Sequence, residues 1–192
     1  MNLRRADSPR CERELDARRD TAEPGRGGYR LERRQIIRRS REDVFAFFSR
    51  AENLDEITPD FLRFRIVTPL PIALERGARI EYELRLFGVA IAWRTFIEAF
   101  ESPALFVDVQ ERGPYARWVH RHEFHVLEER ESTGGGARRE CTEMIDRVDY
   151  ALPLGRLAAP VHALVVRRML ARIFDHRRDR VRELLEESPI RA

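Results

Sequence analysis

Between residues 78 and 152 hydrophobic and polar side chains alternate with a period of two, the spacing of strands that bury one face and wet the other. In the run 78–87, Ile80, Tyr82, Leu84 and Leu86 fall on one side and Arg79, Glu81, Glu83 and Arg85 on the other. The same reading places strands at 62–68, 90–100, 105–111, 117–128 and 138–152, separated by Phe87 and Gly88, Ser102 and Pro103, Gly113 and Pro114, and the glycines 134–136. Breaks this short favour antiparallel hairpins, because a parallel crossover needs about a dozen residues or more.

Upstream, residues 29–38 read as a first strand. Ser40 then supplies an N-cap and Asp43 the acid of a shortened capping box, so a helix is predicted over 41–48 with Val44, Phe45, Phe47 and Phe48 as its apolar side. A second short helix is predicted over 51–57, stopping near Pro59. The period changes to 3.6 at the other end, where Val166, Leu170, Ile173, Phe174, Val181 and Leu184 make one stripe along residues 156–187. Val161, Leu164, Val165 and Met169 lie off that stripe and call for a second neighbour: a loop, a ligand or a partner subunit. One strand, two short helices, six strands and a long helix predict an α+β helix-grip fold, with a curved seven-stranded antiparallel sheet wrapped around the C-terminal helix.

Composition limits the picture. A chain of 192 residues suits one domain, placed at 29–187; residues 1–28 mix arginines with acids and are expected to be a disordered tail, with 188–192 a C-terminal tail. All 36 basic residues are Arg, but 33 acids leave a net charge of only +3, so no nucleic-acid partner is expected. The arginines of the last helix are interspersed with Asp175, Asp179, Glu183, Glu186 and Glu187, as on a solvated ion-paired face. Two cysteines, Cys11 and Cys141, predict no disulfide framework. The most apolar stretch, 157–166, is too short to span a bilayer and contains Pro160 and His162, so a cytoplasmic protein without a transmembrane segment is expected.

The candidate chemistry sits on two strands. Trp118, His120, His122 and Phe124 share one face, and Met144, Asp146, Val148 and Tyr150 share another. A hairpin turning at Pro114 sets Asp108 opposite His120 and Gln110 opposite Trp118. One turning at Gly134 sets His122 opposite Asp146, His120 opposite Val148 and Phe124 opposite Met144. A slip of one residue would abolish both His–Asp pairings. Asp108, Gln110, His120, His122 and Asp146 therefore form a polar cluster on an apolar wall, fit to hold strands in register, to orient a ligand or to exchange protons with it. Two imidazoles two residues apart also suit a metal, with a carboxylate to complete the set of ligands, although the paired Asp serve equally well as outer partners of the rings. No further Cys or His has metal spacing, and no metal is expected. Trp93, Tyr82 and Tyr150 complete the aromatic candidates.

Three blocks then carry a family likeness: Phe106, Val107, Asp108, Gln110, Gly113 and Pro114; Trp118, His120, His122 and Phe124; and Asp146, Val148, Tyr150, Leu152, Pro153 and Gly155. With them the chain resembles the START-like superfamily, also called SRPBCC, which includes polyketide cyclases/dehydrases and coenzyme-Q-binding START proteins, over about residues 29–186. The resemblance implies a cavity between sheet and helix holding a small hydrophobic molecule such as a lipid, a quinone or a polyketide-like aromatic. The expected contacts are Tyr82, Trp93, Phe106, Asp108, Gln110, Trp118, His120, His122, Met144, Asp146, Tyr150, Val166 and Leu170, with no cofactor. It also leaves open a cyclase/dehydratase-type enzyme using His120 or His122 as general acid or base beside Asp108 and Asp146, and an interaction module or homodimer built on the C-terminal helix.

Overall fold

A computed structural model of the protein describes residues 18–23, 28–130 and 138–187. The strands are β1 (Arg18–Glu23), β2 (Gly28–Ile37), β3 (Arg65–Ile66), β4 (Arg79–Leu86), β5 (Val89–Glu101), β6 (Leu105–Arg112), β7 (Arg117–Arg130) and β8 (Arg138–Ala151). They form one antiparallel sheet in the order β1-β2-β8-β7-β6-β5-β4-β3. Each consecutive pair from β4 to β8 is a hairpin, and β4 turns into β5 through Phe87 and Gly88, both at positive φ, as a tight two-residue turn requires. This is the expected helix-grip α+β fold with one strand more than predicted. Arg18–Glu23, expected to be unfolded, pairs along its backbone with the free edge of β2. The remainder of the two expected tails lies outside the described residues.

Ser40 caps α1 (Arg41–Phe48) by accepting a hydrogen bond from the Asp43 backbone N–H at 3.2 Å. Helix α2 is shorter than predicted, Asn53–Glu56, and a 3₁₀ turn at Asp60–Leu62 follows it. The C-terminal helical segment is not uniformly wound. Ala159–Val161 (α3) leads into a π-helical turn at His162–Val166, then α4 (Arg167–Arg182) and a second π turn at Glu183–Glu187. None of the described helices is long and apolar enough to cross a membrane. Cys141, buried on β8, is disulfide-bonded, contrary to the expectation from the cysteine count; the only other cysteine lies outside the described residues.

Helix α4 divides the core in two. Leu170 and Phe174 pack with Leu31, Val148, Tyr150 and Val166, while Val181 joins Ile37, Phe45, Phe106, Phe124 and Met144 under α1. Along β7 the inward side chains pass from Trp118, beside the first cluster, to Phe124 in the second. His120 and His122 occupy the seam.

Candidate functional site

The register puts the polar residues together. Asp108 is the Cα partner of His120, and His122, His120 and Phe124 are those of Asp146, Val148 and Met144, as the hairpin arithmetic requires. Both imidazoles and Asp146 are at least nine-tenths buried. The side chains then reach further than the pairing. His120 places Nε2 3.0 Å from Asp146 Oδ1 and Nδ1 3.6 Å from Asp108 Oδ2. His122 places Nε2 3.2 Å from Asp108 Oδ2 and Nδ1 2.8 Å from Asp146 Oδ1, the latter too bent to be a hydrogen bond. Each ring thus lies between both carboxylates, with ring centroids 3.8 Å apart, and the hydrogen bonds run diagonally, His120 to Asp146 and His122 to Asp108.

The two imidazoles are driven apart electrostatically. Burial and the neighbouring His122 charge push His120 below its ordinary pKa, against the pull of Asp108 and Asp146. Burial opposes the charge on His122 as well, but Asp146 and Asp108 outweigh it and raise that imidazole. Burial also works against ionised Asp146, and the two rings more than compensate, holding the carboxyl far below the usual range. Of the two rings His122 is therefore the one that more readily carries charge, beside a carboxyl of Asp146 held in its ionised form.

A cavity of about 190 Å³ opens from this seam, between the sheet, α1, α2 and α4. Tyr82, Trp93, Phe106, Asp108, Trp118, His120, His122 and Leu170 line it. The Thr95 hydroxyl accepts a hydrogen bond from Trp93 Nε1 at 3.1 Å and lies 3.0 Å from the Tyr82 hydroxyl, fixing both rings in the wall. Phe106 stacks on His122 at 4.2 Å, and Trp93 meets Trp118 edge-on at 5.4 Å. Burial and the charge of Asp108 push the Tyr82 hydroxyl up, so it stays protonated.

Five expected contact residues lie outside this lining. Gln110 turns back over its own hairpin, where Nε2 donates to the Tyr115 carbonyl at 2.8 Å and Oε1 accepts from the Tyr115 N–H at 3.3 Å. It lies against Gly113, where any Cβ would collide with it. The Tyr150 hydroxyl, 2.8 Å from His162 Nε2, is occupied in the core, where His162 also stacks on Tyr29 at 3.4 Å. Val166 packs in that same cluster. Met144 and Asp146 border a second, much smaller pocket of about 20 Å³, together with Arg33 and Asp175. Missing from the expected set are Phe48, Phe64, Tyr115, Phe174 and Arg177, all of which line the cavity. The helical stripe already contained Phe174. Tyr115 sits in a bend between strands, where periodicity carries no information, and Phe64 lies in the strand expected over 62–68, of which only Arg65–Ile66 forms behind the 3₁₀ turn at Asp60–Leu62.

No protein-family model and no curated protein sequence matches the chain. Solved structures do. A protein from Rhodobacter sphaeroides superposes with a TM-score of 0.56 at 18% identity, over 88% of this chain and 100% of that one. A START superfamily protein from Mycobacterium smegmatis gives 0.57 at 11% identity, over 82% and 97%. The major latex-like protein 151 of Panax ginseng gives 0.52 at 10% identity, over 83% and 98%. Together with the sheet order and the long C-terminal helix, these likenesses define the fold as START-type, the class expected from the three sequence blocks.

Proposed function

We infer that the protein binds a small hydrophobic molecule between the sheet and α4. The observation that carries this reading is the joining of a mostly apolar, aromatic-walled cavity of about 190 Å³ to a polar patch made by Asp108, His120 and His122. An engineered apolar cavity of about 150 Å³ holds benzene. By that measure the space fits one or two aromatic rings, so a quinone-like or polyketide-like ring system suits it better than an entire lipid. The ring's oxygen would face the histidines, and a longer tail would leave through the open side. Arg177, on α4 at the same cavity, adds a donor for an enol or phenol oxygen.

Both tryptophans of the chain, Trp93 and Trp118, line the cavity, so intrinsic fluorescence reports its occupancy directly. Titration with naphthoquinones and hydroxylated naphthalenes is expected to quench that emission saturably and to raise the melting temperature. A flat response across such a series would overturn the reading. Mass spectrometry of small molecules extracted from the purified protein would then identify the natural ligand.

A second reading, a cyclase/dehydratase-type enzyme, is favoured by the raised imidazole of His122 opening on the cavity. It requires His122→Gln to abolish turnover of a bound polyketide-like substrate while fluorescence-detected binding persists. Loss of both together would return the residue to a binding role. Leu157, Val161 and Leu164 stand exposed on the C-terminal segment and support self-association as a further property, which light scattering at high protein concentration decides.

A further inference from the structure

The four nitrogen atoms of His120 and His122 divide cleanly between the two carboxylates. His120 Nδ1 and His122 Nε2 face Asp108 Oδ2, at 3.6 and 3.2 Å. Their opposite nitrogens, His120 Nε2 and His122 Nδ1, face Asp146 Oδ1, at 3.0 and 2.8 Å. Register alone does not demand this arrangement, since cross-strand partners need only one contact each. It is the arrangement of a metal site seen from its ligands outward. Donors bound at about 2.0 to 2.2 Å in a tetrahedron stand roughly 3.3 Å from one another, and the two Asp108 spacings bracket that value. Each imidazole would bind the ion through one nitrogen and point the other at a carboxylate, which fixes the ring and raises its basicity.

The surroundings agree with that division. Asp108, His120 and His122 offer one donor atom each within 4.8 Å of one another, and all three line the large cavity. Asp146 is absent from that lining and borders the small pocket instead. Three protein donors on the cavity side leave a fourth position directed into the space where a ligand would lie. His122 Nδ1 is fully buried and makes no hydrogen bond, although Asp146 Oδ1 is near. A small turn of the ring would bring both of its nitrogens into service at once.

The geometry points to a divalent transition-metal site of the zinc type, with Asp108 Oδ2, His120 Nδ1 and His122 Nε2 as ligands and Asp146 as the residue that positions both rings. This goes beyond ligand binding and does not depend on it, since the ion needs no hydrophobic molecule to bind. The sequence expectation of no metal rested on the absence of a further Cys or His with metal spacing and on reading both paired Asp as outer partners of the rings. The side-chain distances divide those two roles, with Asp108 as ligand and Asp146 as outer partner.

The test uses the full chain, freed of metal with a chelator, and Zn²⁺ alone as the probe in calorimetry. One equivalent is expected to bind, and Asp108→Asn, His120→Ala and His122→Ala should each weaken binding by about 100-fold or more. Asp146→Asn should weaken it by about 10- to 100-fold, as loss of an outer carboxylate does, and Asp146→Glu should recover part of that loss. Co²⁺ in the unaltered protein is expected to give the visible d–d absorption of a tetrahedral nitrogen–oxygen site, a readout independent of whether any variant folds. The proposal is overturned if Zn²⁺ binds only at millimolar concentration, if it binds equally well to folded Asp108→Asn, or if Co²⁺ shows only the weak spectrum of the hydrated ion. Quinone binding to the metal-free protein would leave the cavity reading standing in any of these cases.

Discussion

The two faces of the sheet carry ionic clusters built on the same strands, one residue apart. Inside lie Asp108, His120, His122 and Asp146. Outside, Glu32 on β2 accepts from Arg34 at 3.0 Å and from Arg147 at 3.2 Å, Arg147 reaches Glu123 at 3.6 Å, and Glu123 pairs with Arg121 on its own strand. Arg147 is the chain neighbour of Asp146, and Arg121 and Glu123 flank His122. The partners are similar in charge but differ in freedom. Outer arginines are long, reach solvent along one edge and exchange partners when one is lost. Inner imidazoles are short, packed against Phe106 and Phe174, and cannot swing to a new partner when a carboxylate is lost. Opposite charge therefore stabilises the sheet outside and constrains it inside.

The strongest way to break this contrast is Asp146→Ala, which leaves two buried rings without their shared partner. Urea unfolding is expected to show a loss of about 3–5 kcal/mol. A loss below about 1 kcal/mol would mean that the inner cluster is as adaptable as the outer one. Replacing the whole cluster by apolar residues of similar volume sharpens the point. Asp108→Leu, His120→Phe, His122→Phe and Asp146→Leu in one chain should leave stability unchanged or raise it by about 1–4 kcal/mol, while tryptophan-detected ligand binding disappears.

The outer network should respond weakly. Arg147→Ala is expected to cost about 0.2–1 kcal/mol, and less in high salt, as read from paired unfolding curves. The smallest effect concerns acid. Burial disfavours the Glu32 carboxylate, but Arg34 and Arg147 outweigh it and lower its pKa below the ordinary 4.5. A lowered carboxyl contributes stability above the unfolded value and loses it as pH falls through the folded one. Glu32→Gln should therefore lower stability slightly at neutral pH and flatten the acid limb of the profile below about pH 4.5, where the wild-type contribution is lost anyway.

What the sequence disclosed follows from how locally each feature is determined. Placing turns at Pro114 and at the glycines 134–136 of the sequence, together with the alternation, made the pairings of Asp108 with His120 and of Asp146 with His122 legible, and the registers agree. Register tells which Cα atoms face each other but leaves χ angles open. The diagonal reach of each ring to the second carboxylate was thus invisible. Gln110 has the right parity for the cavity, yet the missing Cβ at Gly113 lets its side chain fold over the turn. Tyr150 found its partner in a π-helical turn, which a period of 3.6 cannot place. Arg18–Glu23 was read as disordered because its composition gives it little to bury. Pairing with the open edge of β2 requires only backbone donors and acceptors.

The pairing of β2 with β8 has a consequence for how the molecule comes into being. Arg30 grips Asp149 through two hydrogen bonds, of 2.6 and 2.9 Å, across a separation of 119 residues. On a ribosome β2 emerges with β1 on one edge and waits for β8 on the other, while β4 to β8 zip up as successive local hairpins. During that wait Ile37, beyond the reach of β1, has no strand to lie beside, so that end of β2 keeps an unsealed apolar face until β8 is made.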